Sequence, residues 1–260
     1  ILDGPATVLT SLFDPAPYLV LGAVPVVIAL RRGRRDLAVA ILVLLFGANA
    51  STELVKPLAA GARDWVAVPG IYLSHATWPS GHSTASMSLA LAVIISVPPR
   101  MRPVLAPLMA ALVVGVVYSL LTLGWHYPSD VLGGFEMAST WALLVVGLVR
   151  VHEARRAELA PGAPREGALS SVADTLWPPV LMLVLVLGTA AVLTAGRPRR
   201  VIEYVASHPA FTTGAAAIAV LSFGCACGLS LLLRRPSPAP LRGSAPAPTA
   251  PPHPRRSLPG

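Results

Sequence analysis

The chain has 260 residues, of which 54% are hydrophobic and 12% charged, with a formal net charge of +8 and a mean hydropathy of +0.67. Soluble globular domains carry about 25% charged residues, so this balance excludes an ordinary soluble domain and points to an integral membrane protein. The nineteen arginines lie between apolar runs rather than in one basic patch; membrane topology explains that placement, and a nucleic-acid partner is not expected.

Seven stretches approach the ~20 apolar residues needed to cross a bilayer. They are expected at about 15–30, 37–55, 82–98, 103–125, 131–149, 176–195 and 210–233. The loop between the first two reads RRGRRD, with Arg31, Arg32, Arg34 and Arg35, and the positive-inside rule makes it cytoplasmic. Alternation then places PPRMRP (98–103), Arg150, Arg155, Arg156 and Arg165, and finally Arg234 and Arg235 on the same side. The scheme sets Ile1 outside and leaves room for a further helix upstream of it. Cys225 and Cys227 fall within the last span and read as small packing residues. Residues 236–260 contain nine prolines and little that could form a core, so a disordered cytoplasmic tail is expected.

The outer segments are then 56–81, the short turn 126–130, and 196–209. Lys56, the single lysine of the chain, is followed seven residues on by Arg63. The same segment ends in PSGH, Pro79 to His82. Pro79 and Ser80 signal a helix start with Ser80 as its cap. The N–H groups of Gly81, His82 and Ser83 would then lack helical partners, and such a terminus attracts anions. In HYPSD, Pro128 suits the first turn of another helix, which leaves His126 just outside it and Asp130 inside its first turn. Asp130 can hold one ring nitrogen of His126 and leave the other to act as nucleophile or base. Cations with free backbone donors indicate a phosphate, and two histidines suggest covalent transfer with a nucleophile and a separate acid. No metal site is evident in the spacing of His, Cys and carboxylates. Glu53, one turn before Lys56, either steers the lysine or is an ordinary interfacial acid.

These residues resemble the type 2 phosphatidic acid phosphatase (PAP2) family, whose motifs are Lys-x6-Arg-Pro, Pro-Ser-Gly-His and Ser-Arg-x5-His-x3-Asp. They match here as Lys56 with Arg63-Asp64, as Pro79-Ser80-Gly81-His82, and as Ser119-Leu120 with His126 and Asp130. The resemblance implies an all-α integral membrane protein, a PAP2-like helical bundle core over 37–150 with two additional C-terminal transmembrane helices. Residues 1–36 would form an N-terminal segment and first membrane helix, and 151–235 a cytoplasmic linker with the two extra helices. It further implies a metal-independent phosphatase without cofactor, acting on a lipid with a phosphate headgroup at the extracytoplasmic face of the cell membrane. His126 would form a phosphohistidine, Asp130 would orient it and His82 would protonate the leaving group. Lys56, Arg63, Ser80, the Gly81 backbone and Ser119 would surround the phosphoryl oxygens.

Two positions depart from the motifs. Asp64 stands where the family has proline, and Leu120 where it has an arginine. A charge-assisted hydrogen bond is worth roughly 1.5–3 kcal/mol, so the loss at Leu120 calls for a substitute. Arg197, Arg199 and Arg200 in GRPRR, on the outer side against the positive-inside bias, are the candidates. The alternative is that they snorkel to anionic headgroups. A lipid phosphotransferase and a non-catalytic lipid-phosphate binder also remain open as functions.

Overall fold

The computed structural model describes residues 3–59, 77–159, 184 and 198–233. Among these it is all-helical, without strands. The helices are α1 (Asp3–Ser11), α2 (Pro15–Arg31), α3 (Arg35–Ala59), α4 (Gly81–Ser96), α5 (Arg102–Thr122), α6 (Pro128–Leu159), α7 (Pro198–Ser207) and α8 (Pro209–Leu232), with a 3₁₀ turn at Pro99–Met101. Four segments are long and apolar enough to cross a membrane: α3, Pro99–Thr122, Pro128–Glu153 and α8. The α1–α2 pair, bent by 56°, makes a fifth if counted as one span. The molecule is a multi-pass membrane protein.

Six of the seven expected spans appear as helices, with three differences. A short helix, α1, precedes the first span, and the apolar pattern gave no sign of it. The third span is only 16 residues, about 24 Å at 1.5 Å per residue, and falls short of a full crossing. The fifth continues to Leu159 because RVHEARRAEL keeps good helix formers beyond the apolar zone. The expected span 176–195 and the tail 236–260 lie outside the described residues, Val184 excepted.

The short α4 sits in the middle of the bundle, against α2, α3, α5, α6 and α8. Nearly all of its residues from Ser83 to Ser96 are buried. Its small Ser, Thr and Ala side chains allow close helix approach, as in membrane interiors generally. Its hydroxyls are satisfied locally: Thr84 donates to Ser80 O, Ser86 to Ser83 O, Ser88 to Ala85 O and Ser96 to Val93 O. Others tie neighbours together. Thr52 and Thr84 share a hydrogen bond at 2.9 Å, Tyr18 and Ser88 one at 3.0 Å, and Asn49 donates to Tyr18 Oη at 2.8 Å. Below this polar layer Ile41, Leu44, Met87, Leu91, Ile94 and Val113 form the fully buried core.

Helix ends at the arginine-rich side are capped by those arginines. Arg32 donates to Ser96 O at 2.6 Å, and Arg102 to Ile94 O and Leu233 O, both at 3.1 Å. Arg150 reaches Leu232 O, and Arg34 bridges Asp36 and Glu153. The guanidinium groups satisfy C-terminal carbonyls and oppose the negative ends of the helix dipoles.

The α3–α6 contact depends on Gly47, where an added Cβ would lie 2.7 Å from the Trp141 ring. Trp141 Nε1 donates to Ser51 Oγ at 3.0 Å, which fixes the indole in that position. Gly47→Ala is expected to destabilise the bundle by about 1–3 kcal/mol through overpacking. A lower thermal midpoint in detergent checks this; an unchanged midpoint would mean that Trp141 moves freely.

Candidate active site

Two helix starts build the site, and a backbone bond joins them. The N–H of Ser80 donates to the carbonyl of Asp130 at 2.9 Å, linking the turn before α4 to the first turn of α6. Such proximity requires that α6 carry no side chain at the contact. Its residues there are Gly133 and Gly134. A Cβ on Gly134 would meet Ser80 O and Ser83 Cβ at 2.8 Å and Thr84 N at 2.9 Å. On Gly133 it would strike the Trp78 indole nitrogen at 2.5 Å.

Ser80 is the N-cap of α4, as its sequence context predicts: its Oγ accepts from Ser83 N at 3.3 Å, and the residue is fully buried. The next N–H groups, of Gly81 and His82, are the first-turn donors that an α-helix leaves without helical partners. Lys56, in the last turn of α3, lies directly over this turn. Its Nζ is 3.3 Å, and Glu53 Oε1 is 3.5 Å, from where a Gly81 Cβ would stand. Glu53 pairs with Lys56. A Cβ at position 81 would crowd the ammonium group by a few tenths of an ångström, so glycine leaves it room beside the backbone donors.

The chain between α5 and α6 turns sharply to deliver His126. Gly124 has φ +69°, Trp125 N–H donates to Leu120 O at 3.1 Å, and Gly124 N–H to Leu121 O at 3.2 Å. This is a Schellman C-cap, a left-handed residue after the last helical turn. Pro128 then opens α6. Asp130, fully buried, accepts from the N–H of Tyr127 at 3.0 Å, a carboxylate reaching back to the helix cap. Its Oδ2 lies 3.5 Å from Nδ1 of His126. That is long for a hydrogen bond, yet no closer partner reaches this buried nitrogen among the described residues. With its proton on Nδ1, facing Asp130, His126 keeps the Nε2 lone pair for chemistry.

His82 stands in the first turn of α4, its ring 6.3 Å from that of Trp125. Lys56 and His126 are within electrostatic range of it. Its Nε2 is 3.2 Å from Oδ1 of Asp14, at the start of α2. The sequence reading missed Asp14. The Asp-Pro pair Asp14-Pro15 does signal a helix start, but nothing local connects it to a histidine 68 residues away.

Other expected site residues are placed differently. Ser119 donates to Gly115 O at 2.8 Å, so its proton is engaged within α5. Leu120 is fully buried in the bundle. Arg63 and Arg197 lie outside the described residues, as does the side chain of Arg200; Arg199 is exposed on α7. The C-terminal α8 packs against the site turn. A Cβ on Gly214 would lie 2.8 Å from Pro128 Cβ, and Tyr118 Oη donates to Ala215 O at 2.7 Å.

A membrane bundle that presents two histidines, a lysine and two helix N-termini at one end is of the class that handles phosphate esters. Residues 37–153 match the family model of the PAP2 superfamily. Its members act on phosphate esters, which makes phosphoryl-transfer chemistry the coarse function. No curated protein and no solved structure gave a significant match.

Gly134→Ala tests the joined helix starts. The methyl group has backbone on two sides, so the PSGH turn must move, at a cost of about 1–3 kcal/mol. Inorganic phosphate should raise the thermal midpoint of the wild type and not that of the variant. An equal phosphate-induced shift in both would show that the close approach is not what forms the anion site.

Proposed function

We propose that the protein is a membrane phosphatase that hydrolyses a lipid phosphate or pyrophosphate through a phosphohistidine on His126. The observation carrying this reading is the Ser80–Asp130 backbone bond, which sets the anion-binding start of α4 beside the His126–Asp130 pair. Lys56 and the N–H groups of Gly81 and His82 hold the phosphoryl oxygens, with Ser80 and Arg63 completing the cradle. Nε2 of His126 forms a bond to phosphorus as the bond to the leaving oxygen breaks. His82 gives that oxygen its proton. Water then attacks the phosphohistidine, His82 takes the proton back, and inorganic phosphate leaves. Fixed cations and backbone donors supply the positive charge, so the reaction needs no metal.

Two features favour a lipid substrate. Trp125 is exposed beside the site, at the end of a membrane-length segment, where interfacial aromatics concentrate. The shortness of α4, which begins at the site and does not span a membrane by its length, also supports chemistry at headgroup depth. The opposite end of the bundle carries Arg32, Arg34, Arg102 and Arg150, which by the positive-inside rule supports a site on the extracytoplasmic face of the cell membrane. One of Arg197, Arg199 and Arg200 takes the place of the motif arginine lost at Leu120.

The test is phosphate release by purified protein from a panel of phosphatidate, polyprenyl phosphate and polyprenyl pyrophosphate, with chelator present. Turnover is expected in the wild type and a loss of at least about a thousandfold in His126→Ala, as removal of a covalent nucleophile implies. Product analysis with added alcohol separates hydrolysis from transfer to another acceptor. Absence of turnover on every lipid, or a fully active His126→Ala, defeats the proposal.

The arginine assignment has its own measurement. Of the three single Arg→Ala variants, one should lose roughly ten- to a hundredfold in kcat/KM, the worth of one charge-assisted bond. If all three retain full activity, these arginines serve only the lipid surface.

A further inference from the structure

Asp14 lies in the N-terminal segment, outside the 37–153 family match, yet its carboxylate reaches a histidine of the site. Resting on the phosphatase reading above, we propose that Asp14 is a positioning residue for the acid: it holds the His82 imidazolium through Nε2–H and leaves Nδ1–H as the proton for the leaving oxygen. The chain would then carry one carboxylate for each histidine, Asp130 for the nucleophile and Asp14 for the acid.

The local sequence makes the Asp14 carboxylate available. It is the N-cap of α2, a position where an aspartate ordinarily accepts from the N–H groups at the second or third helical residue. Here the first turn reads Pro15-Ala16-Pro17, and two of those three residues have no N–H. Asp14 accordingly makes no side-chain capping bond, and its Oδ1 lies 3.2 Å from His82 Nε2. The α1–α2 bend, 56° at the break between Ser11 and Pro15, turns the chain at this point over the start of α4. Phe13 anchors the bend, buried with Ala85, Leu89 and Val116.

The charges around His82 explain why such a partner is useful. Lys56, paired with Glu53, acts from α3 and His126 from the turn before α6, where His126 itself faces Asp130. Glu53 is engaged by Lys56, and Asp130 by the Tyr127 N–H beside His126. Burial first, then His126 and Lys56, oppose a proton on His82, and Asp14 is the carboxylate in hydrogen-bond contact with it that favours one. The two histidines must carry different protonation states when the phosphate is attacked, and separate carboxylate partners on separate helices allow that.

Two esters with the same alkyl chain form the test, one an alkyl phosphate and one a nitrophenyl phosphate, assayed with wild type, Asp14→Asn and Asp14→Glu. An alkoxide leaving group needs the proton and a nitrophenolate does not. Asp14→Asn should lose about tenfold or more in kcat on the alkyl ester and under about threefold on the nitrophenyl ester, within the range set by general acid catalysis. The alkaline limb of kcat/KM on the alkyl ester should move to lower pH, by roughly a unit or less because the pair is partly open to water. Asp14→Glu should restore part of the alkyl-ester activity. Equal losses on both esters at an unshifted alkaline limb, or no loss on either, overturn the proposal while leaving the phosphatase reading intact. A wild type that releases phosphate from neither ester overturns both.

Discussion

The hydrogen bond from Ser80 N–H to the Asp130 carbonyl is the constraint on which the site depends, because it joins two helix starts that the chain keeps far apart. Between them run the whole of α4, a turn, and the whole of α5. The bond forms only because Gly133 and Gly134 let α6 lie against the Pro79–Ser80 turn with no side chain between. It sets the spacing of the first-turn donors of α4 from the His126–Asp130 pair, and hence the space in which an anion could meet both. The burial of α4 on all sides follows from the same requirement. A helix held by neighbours along its length cannot tilt, and its first turn stays where α6 needs it.

The electrostatic design runs along the helix axes. α4 and α6 both begin at the site, so the positive ends of their dipoles face it. α3 ends there and places Lys56 in its last turn, where a cation suits the negative end. At the far side the arrangement is reversed, and Arg32, Arg102 and Arg150 take up the carbonyls at the ends of α4 and α8. The arginines that read as topology signals in the sequence therefore also cap helices. In a membrane these carbonyls have little water to turn to, so an arginine that reaches back along its own bundle does two jobs.

Much of this was legible in advance because it is local. Spans could be read from apolar length, and the Ser80 cap, the Pro128 start and the His126–Asp130 spacing from rules that operate within one turn of helix. What escaped depends on partners distant in sequence. Gly133 and Gly134 read only as two glycines in a span until the turn they accommodate was seen. Asp14 read as the edge of the first span, and its tie to His82 required α2 to be folded against α4. The length of α4 was overestimated because Val97 and Pro98 continue the apolar run, although the extended backbone at Val97 ends the helix before them.

Composition and local pattern were thus enough to specify a helical membrane protein with PAP2 motifs, since hydropathy, capping and motif spacing are properties of neighbouring residues. The tertiary structure decided which polar groups meet: Ser80 with Asp130, Lys56 above Gly81, Asp14 beside His82, and α8 against Pro128. These pairings come from how the helices stack about α4. Stacking is set by the volumes and missing side chains of residues on different helices, and no window along a single helix contains that information.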